Sequence, residues 1–283
     1  MPHTPPPTDP ALQLTGDLPR IKDATMLLAF TGWMDGGDVS TGTVRQLIDK
    51  TGAEPFAAID PEPFCLLHIP GSMETAALFR PHVKIEDGVV TACSAGTNTL
   101  YASPLHRLIF FVGREPNFHW TRFGDILFDL AQRCDVRRLM FVGSFGGSVP
   151  HTREPRLYAT VSDRRLLDDL KPMGVRPSHY SGPGSFATAL VDRAARQHRD
   201  MISLVAEIPG YLQGINPLSI EAVIRRLSAI LGLRLDLASL RAESTEWEIK
   251  VSEVVAKDED LSKHIRDLEE AYDDELIGQP GEA

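Results

Sequence analysis

The stretch Thr25-Met26-Leu27-Leu28-Ala29-Phe30 is a short apolar run, and the glycine-rich turn Thr31-Gly32-Trp33-Met34-Asp35-Gly36-Gly37-Asp38 follows it directly. An apolar run of this length, bounded by turn residues, is typical of a buried strand. Apolar residues then recur at helical spacing over residues 39–48. A buried strand, a glycine turn and an amphipathic helix in this order indicate the first half of a β-α-β unit.

The same alternation of strand and helix repeats along the chain, which indicates an α/β fold with a mostly parallel sheet covered on both faces. Further strands are predicted at residues 56–59, 64–69, 108–112, 139–142 and 202–206. Two more short runs flank Glu86-Asp87-Gly88 and predict a hairpin, which we expect to make the sheet mixed. The sequence therefore predicts a three-layer α/β/α sandwich.

The two ends of the chain differ from this core. Residues 1–23 hold six prolines and no apolar period, which predicts a flexible tail. Residues 236–275 hold 14 acidic and 5 basic residues, a net charge of −9, and carry an apolar stripe from Trp247 to Tyr272. This pattern predicts an amphipathic helical extension with an acidic outer face, which either packs on its own core or covers a partner. The predicted organisation is a tail 1–23, a core 24–235, the extension 236–275 and a second tail 276–283.

Composition excludes several classes of protein. The 283 residues are 42% apolar and 24% charged, which is ordinary for a globular chain. Asp and Glu outnumber Lys and Arg by 39 to 29, so a partner bound through its phosphates, such as a nucleic acid, is not expected. No apolar run approaches the roughly 18 residues that span a bilayer, and the N-terminus does not resemble a signal peptide, so no membrane partner is expected. The cysteines Cys65, Cys93 and Cys134 form no CxxC pair, which favours reduced thiols in the cytoplasm.

Four loops follow predicted strands, at residues 32–38, 113–120, 143–152 and 209–217. In α/β proteins the carboxyl ends of the strands form the usual binding crevice. Neither Gly-x-x-x-x-Gly-Lys nor Gly-x-Gly-x-x-Gly occurs. Asp35 and Asp38 in the first loop would repel a phosphate and suit helix capping or binding of a hydroxyl ligand better. No histidine pair has metal-ligand spacing. We therefore expect no cofactor and no metal.

The polar side chains of these loops are the candidates for chemistry. Glu115 and His151 can both titrate and both follow predicted strands, so they are the expected acid–base pair if the protein is an enzyme. The structural alternative is that Asn117 caps the next helix and Trp120 enters the core. The predicted ligand-binding residues are Trp33, Asp35, Asn117, Trp120 and Arg153. We predict one crevice lined by Trp33, Asp35, Glu115, Asn117 and His151.

Taken together, five stretches resemble the signatures of the proteasome assembly chaperone-like family, in its uncharacterised actinobacterial branch. They are residues 30–37, Gly113-Arg114-Glu115-Pro116-Asn117-Phe118-His119-Trp120, residues 149–155, residues 182–185, and Pro209-Gly210-Tyr211 with Asn216-Pro217. The resemblance covers residues 25–235. It implies a sandwich like that of nucleoside phosphorylases and peptidyl-tRNA hydrolases, and homo-oligomers, with a trimer favoured. We expect the extension 236–275 to contribute to self-association.

The resemblance leaves two functions open. Archaeal and eukaryotic members help assemble proteasome α-subunits, partly through a C-terminal hydrophobic-Tyr-x tail, whereas this chain ends Pro280-Gly281-Glu282-Ala283. Where the family often has Pro-His-Tyr, this chain has Pro209-Gly210-Tyr211, so no role is expected for that histidine. The favoured function is an oligomeric assembly or scaffold protein that binds itself or another protein. The alternative is a small-molecule enzyme or sensor, hydrolase- or phosphorylase-like, that uses the crevice.

Overall fold

The computed structural model describes residues 9–94, 96 and 98–278. The strands β1 to β11 are Leu12–Leu14, Ala24–Thr31, Glu54–Ile59, His82–Glu86, Val89–Ser94, Asn98–Ser103, Leu108–Arg114, Val136–Gly147, Leu157–Val161, Val175–Pro177 and Asp200–Pro209. The helices α1 to α8 are Val39–Thr51, Met73–Ala77, Trp120–Arg133, Arg165–Leu170, Phe186–Arg196, Pro217–Leu231, Ala238–Val255 and Glu259–Gly278.

A mixed sheet forms the middle of the molecule, in the order β1-β3-β6-β7-β2-β8-β11-β9-β10. The central strands β7, β2, β8 and β11 are parallel neighbours. Antiparallel pairs lie on both sides of them, β6 with β7 and β9 with β11. The predicted α/β class is therefore confirmed, and the carboxyl ends of the four central strands meet at one edge.

Helices cover both faces of this sheet, which confirms the three-layer sandwich. On one face, α3 and α5 pack over a cluster of aromatic rings. Phe123 lies in its middle, with ring centroids 4.9 Å from Phe64, 5.6 Å from Phe186 and 5.9 Å from Phe111. On the opposite face, α1 and α6 pack over aliphatic side chains. The alternation of apolar side chains along each strand supplies both cores at once.

The hairpin is present but does not belong to the sheet. β4 and β5 pair only with each other, and the sheet is mixed because β3, β6 and β9 run antiparallel to their neighbours. Periodicity alone could not show whether the hairpin joins the main sheet or pairs only with itself, since a hairpin has the same local sequence pattern in both arrangements. The expectation that this hairpin makes the sheet mixed was wrong.

Residues 64–69 are an irregular loop, not the predicted strand. Pro61, Pro63 and Pro70 remove backbone donors on both sides of the run, and proline is confined to strand edges. Phe64 is nevertheless fully buried, and its carbonyl accepts hydrogen bonds from the backbone N–H groups of Asn117 and Phe118. The apolar residues of this run therefore reflect burial under the 113–120 loop.

The N-terminal segment from residue 9 onward packs on the core, whereas its prolines predict a flexible tail. β1 pairs with β3, and Ala11, Leu12 and Ile21 are buried. Asp9 makes a two-pronged ion pair with Arg122 of α3, with both N–O distances 2.8 Å. The prediction of a tail is wrong for residues 9–23, and residues 1–8 lie outside the described part of the chain.

The C-terminal extension is helical, as predicted. α7 packs against α6, and Val255, Ile265 and Tyr272 of the apolar stripe are buried. The acidic residues do not all face outward, because Glu269, Asp273 and Glu275 of α8 contact arginines of the core. The net charge of the sequence does not show which carboxylates face the core, because that depends on where the core arginines lie. Residues 276–278, predicted as tail, end α8, and residues 279–283 lie outside the described residues.

Candidate functional site

The four predicted loops follow the carboxyl ends of β2, β7, β8 and β11, and lie along one edge of the sheet. Backbone hydrogen bonds join neighbouring loops directly. Ser144 N donates to Met34 O at 2.8 Å, Asn216 N to Gly37 O at 2.9 Å, and Gly210 N to Gly147 O at 3.0 Å. This edge is therefore a connected layer of backbone rather than a set of separate loops.

Glu115 holds two of these loops and a helix together. Its Oε2 accepts a hydrogen bond from Trp33 N at 3.3 Å, and its Oε1 accepts one from Phe186 N at 2.9 Å. Phe186 is the first residue of α5, where the helix dipole favours a carboxylate. Gly32 is required beside it, since its φ is 141° and a Cβ there would lie 2.9 Å from Glu115 Oε2.

An open cleft of about 690 Å³ lies beside Glu115. Trp33, Glu115, Asn117 and Trp120 all line it, so the structure brings together four of the predicted site residues. Arg80, which precedes the hairpin, and His82, the first residue of β4, also line it. This volume lies within the range of about 300–1,000 Å³ typical of small-molecule sites.

Asn117 and Trp120 are fixed by contacts that their sequence position did not reveal. Asn117 Oδ1 accepts a hydrogen bond from Leu66 N at 2.8 Å, so it ties down the 64–69 loop instead of capping α3. The residue before α3 is His119, whose side chain makes no capping hydrogen bond. Trp120 Nε1 donates to Pro116 O at 2.6 Å, and its ring packs against Phe186 at 5.5 Å. Trp120 therefore borders the core and stays partly exposed to the cleft.

Asp35 lies on the opposite face of the sheet from Glu115. Its carboxylate accepts hydrogen bonds from Thr41 N at 3.0 Å and Thr41 Oγ1 at 2.8 Å, at the start of α1. α1 covers the face opposite to α5, which Glu115 binds. Burial raises the pKa of Asp35 to about 6, although the bonds from Thr41 act in the other direction. Asp35 is a capping residue here, and the prediction that it shares a crevice with Glu115 is wrong.

His151 is 1% exposed and lies beneath α7. The Tyr211 hydroxyl accepts a hydrogen bond from His151 N and lies 2.8 Å from Nδ1, while Ser252 Oγ of α7 lies 3.1 Å from Nε2. Burial lowers the pKa of His151, which favours the neutral ring. Nδ1 is thus held by Tyr211 of the 209–217 loop and Nε2 by Ser252 of α7, and the predicted acid–base pairing with Glu115 has no support in the geometry.

Arg153 holds α8 in the same way. Its Nε and Nη2 donate to the two carboxylate oxygens of Asp273 at 2.9 and 2.7 Å, and Glu269 lies 3.8 Å from its Nη1. These carboxylates raise the pKa of Arg153 further. Its predicted role in binding an external ligand is therefore filled by residues of this chain.

Sequence reasoning missed the charged network that continues from Arg153 along the sheet edge. Arg156 lies 2.6 Å from Glu275 of α8 and 3.4 Å from Glu207 of β11, and its guanidinium lies 4.4 Å from the Tyr272 ring. Glu207 Oε1 also accepts a hydrogen bond from Ser148 N at 2.8 Å. The available signal was Glu207 itself, a carboxylate inside the apolar run of β11. A buried charge of this kind requires partners.

The described part of the chain holds no group of three His, Cys, Asp or Glu side chains that could bind a metal ion. None of the described helices is both long and apolar enough to cross a membrane.

Comparisons with known proteins agree with this architecture. A model of the PAC2 family matches residues 29–255. The structure is similar to a Corynebacterium glutamicum protein of unknown function, with a TM-score of 0.81 and 19% identity over 96% of this chain and 100% of that one. It is similar to the Mycobacterium tuberculosis protein of unknown function Rv2714, with a TM-score of 0.80 and 22% identity over 96% and 92% of the two chains.

A third similar structure is the Mycobacterium tuberculosis proteasome-assembly chaperone homologue Rv2125. Its TM-score is 0.74 and its identity 24%, over 85% of this chain and 99% of that one. At these identities the likeness establishes the fold. A search of curated proteins found no match.

Proposed function

Since the chain belongs to the PAC2 family, we propose that it acts as an oligomeric assembly or scaffold protein, which works by binding protein surfaces. The observation that carries this proposal is an uncovered apolar face on the β4–β5 hairpin. A second copy of the chain is the occupant that we propose for this face.

The hairpin is amphipathic. In its register Val83 is opposite Cys93 and Ile85 is opposite Val90, so these four side chains share one face. All four are exposed, and Ile85 is 63% exposed. On the other face, Lys84 and Glu86 form an ion pair of 2.7 Å, and the exposed Val89 is opposite Glu86. An isolated two-stranded hairpin is at best marginally stable in water, so an apolar face of this kind favours a covering partner.

The short helix α2, which precedes the hairpin in the chain, exposes further apolar side chains. Met73 and Leu78, within or next to α2, are the most exposed large apolar residues between β3 and β4. Because α2 and the hairpin together form the insertion between β3 and β6, their exposed apolar residues are concentrated in one segment of the chain. Surfaces of this kind are typical of contacts between proteins.

The C-terminal helices are a weaker candidate for self-association. Their apolar stripe is largely used on the chain's own core, where Val255, Ile265 and Tyr272 are buried. We therefore place self-association on the hairpin rather than on the extension 236–275. A closed ring of three copies is the arrangement that the family resemblance favours, and closed symmetry is the rule for homo-oligomers.

One similar structure is named a proteasome-assembly chaperone homologue. We propose assembly of a protein complex as the corresponding role here, with the partner bound to surfaces of the oligomer. We also propose a cytoplasmic location, supported by three cysteines without disulfide bonds, of which Cys65 and Cys134 are buried.

Native mass spectrometry of two matched variants tests where the copies meet. Ile85 on the hairpin and Val254 on α7 are both 63% exposed, so Ile85→Glu and Val254→Glu remove similar surfaces from two regions. We expect wild type and Val254→Glu to form the same oligomer and Ile85→Glu to be monomeric. An unchanged oligomer in Ile85→Glu, or a monomeric wild type, would contradict the proposal.

A second candidate function is binding of a small molecule, and the cleft beside Glu115 favours it. Trp33 is 57% exposed in this cleft, which is unusual for a tryptophan at a fixed backbone position. This function does not depend on the acid–base pair predicted from sequence, and it is compatible with a scaffold that also senses a ligand.

A further inference from the structure

Two clefts meet at the carboxyl ends of β2 and β7. The cleft beside Glu115 opens toward α5, and a second cleft of about 570 Å³ lies between α1 and the strands β6 and β7. Thr31, Gly96 and Arg114 line both of them. We refer to the two clefts together as the Arg114 groove.

The described lining of the Arg114 groove holds three arginines and two carboxylates, a net charge of +1, although the chain as a whole carries a net charge of −10. Arg45, Arg80 and Arg114 line it. Among its described lining residues the carboxylates are Asp49 and Glu115. Both carboxylate oxygens of Glu115 accept hydrogen bonds from backbone N–H groups, and these bonds stabilise its negative charge. A local reversal of sign in a concave surface concentrates anions there.

Aromatic side chains form the walls of the same groove. Trp33 and Trp120 line the cleft on the α5 side, and Tyr101 lines the one beside α1. Trp120 cannot rotate freely, because its Nε1 is bonded to Pro116 O and its ring packs against Phe186. A ring that is fixed in place with its polar nitrogen satisfied offers an apolar surface for a flat molecule.

We propose that the Arg114 groove binds a small anionic molecule that carries a flat ring, with the ring against Trp33 and Trp120 and the phosphate or carboxylate on Arg45, Arg80 and Arg114. Arginine suits this position because its planar fork donates paired hydrogen bonds to either anion. The proposal rests on the second candidate function, which it deepens by naming the class of ligand, and since the groove lies within one chain it does not depend on the proposed assembly function.

Isothermal titration calorimetry with simple probes tests the proposal on the full chain. 1-Naphthyl phosphate and 1-naphthoate carry both features, 2-naphthol carries the ring alone, and inorganic phosphate carries the charge alone. We expect at least one of the two anionic ring probes to bind with a Kd below about 1 mM. We expect 2-naphthol and inorganic phosphate to bind at least about tenfold more weakly, since each uses half of the site.

Variants then locate the binding. Arg45→Met and Arg80→Met keep the apolar stems and remove the charge, and Trp33→Ala removes one wall. We expect each to weaken binding of the anionic ring probe by at least about fivefold. Arg137→Met, an exposed arginine at the opposite end of β8, is the control for charge. Phe118→Ala is the control for aromatic surface, as Phe118 is exposed on the same loop but does not line the groove.

The proposal is overturned if neither anionic ring probe binds below about 1 mM, or if the three groove variants bind as tightly as the two controls. The Ile85→Glu variant separates this outcome from that of the proposed function. Unchanged probe binding by Ile85→Glu supports a site that is complete within one chain, and loss of binding there would contradict it.

Discussion

The backbone N–H of Phe186 donates a 2.9 Å hydrogen bond to Glu115 Oε1, which ties the loop after β7 to the first turn of α5. Trp33 N donates a hydrogen bond to the other carboxylate oxygen, Oε2. A residue with both oxygens committed to the backbone of its own chain stabilises the fold. It is not a free base for a substrate.

We therefore expect Glu115→Ala to destabilise the folded chain by about 1–2 kcal/mol, because the partly buried bond from Phe186 N and the exposed bond from Trp33 N both lose their charged acceptor. Glu115→Gln keeps one acceptor oxygen and should lose about half as much. Urea denaturation measures both, with Glu62→Ala at an exposed glutamate as the control. An unfolding free energy for Glu115→Ala equal to that of the control would show that these bonds do not matter.

The pair between Arg153 and Asp273 predicts how α8 is held. Because the attachment of α8 relies on ion pairs of Arg153, Arg156 and Arg176, Asp273→Lys should loosen the helix without unfolding the sheet. Hydrogen exchange should then accelerate several-fold at α8 amides and stay unchanged in β2 and β8. Asp267→Lys, at an exposed position of the same helix, is the matched control.

The reversed pair Arg153→Asp with Asp273→Arg tests the charge itself. It should restore much of the protection at α8 if the ion pair is responsible. Equal exchange rates in wild type and Asp273→Lys would contradict the assignment, as would a loss of protection that extends equally into the sheet.

Asp35 predicts a specific dependence of stability on pH. Its pKa is about 6 in the folded chain and near 3.8 when exposed, so the folded state holds the proton more tightly. Protonation therefore stabilises the fold at low pH, and this contribution is lost as the pH rises from about 4 to about 6. The full pKa difference corresponds to a change of up to about 3 kcal/mol in the free energy of unfolding.

Asp35→Asn keeps an acceptor for Thr41 N and removes the titration. Relative to wild type, we expect the variant to gain about 1–3 kcal/mol of stability above pH 7 and little below pH 4. Urea denaturation across this pH range measures the difference, with the exposed Asp17→Asn as the control. A difference between Asp35→Asn and wild type that does not change with pH would contradict the prediction.

Local patterns in the sequence predicted the elements whose signals are local. The helix α1 follows from apolar spacing, and β2, β7, β8 and β11 from short apolar runs. Residues 64–69 have the composition of a strand, but their prolines and their burial under Asn117 make them a loop. The pairing of β1 with β3 depends on contacts across the sheet that no local pattern records.

The residues of the candidate site show the same difference between local and long-range signals. Trp33, Glu115, Asn117 and Trp120 meet because the loops that carry them follow neighbouring parallel strands, β2 and β7. Asp35 shares a loop with Trp33, yet a few residues of chain carry it to the opposite face, where α1 begins. His151 and Arg153 are taken up by the C-terminal helices. Where those helices would lie could not be derived from an acidic stripe alone.

If a second copy covers the apolar face of the hairpin, Cys93 on that face is shielded from reagents in the oligomer. Cys93 is exposed on that face, whereas Cys65 and Cys134 are buried and serve as internal references. We measure the rate of maleimide labelling at Cys93 as the protein is diluted through its association range. We expect slow labelling in concentrated wild type, faster labelling on dilution, and fast labelling at every concentration in Ile85→Glu. A Cys93 that labels at one fast rate in wild type at all concentrations would contradict the proposal.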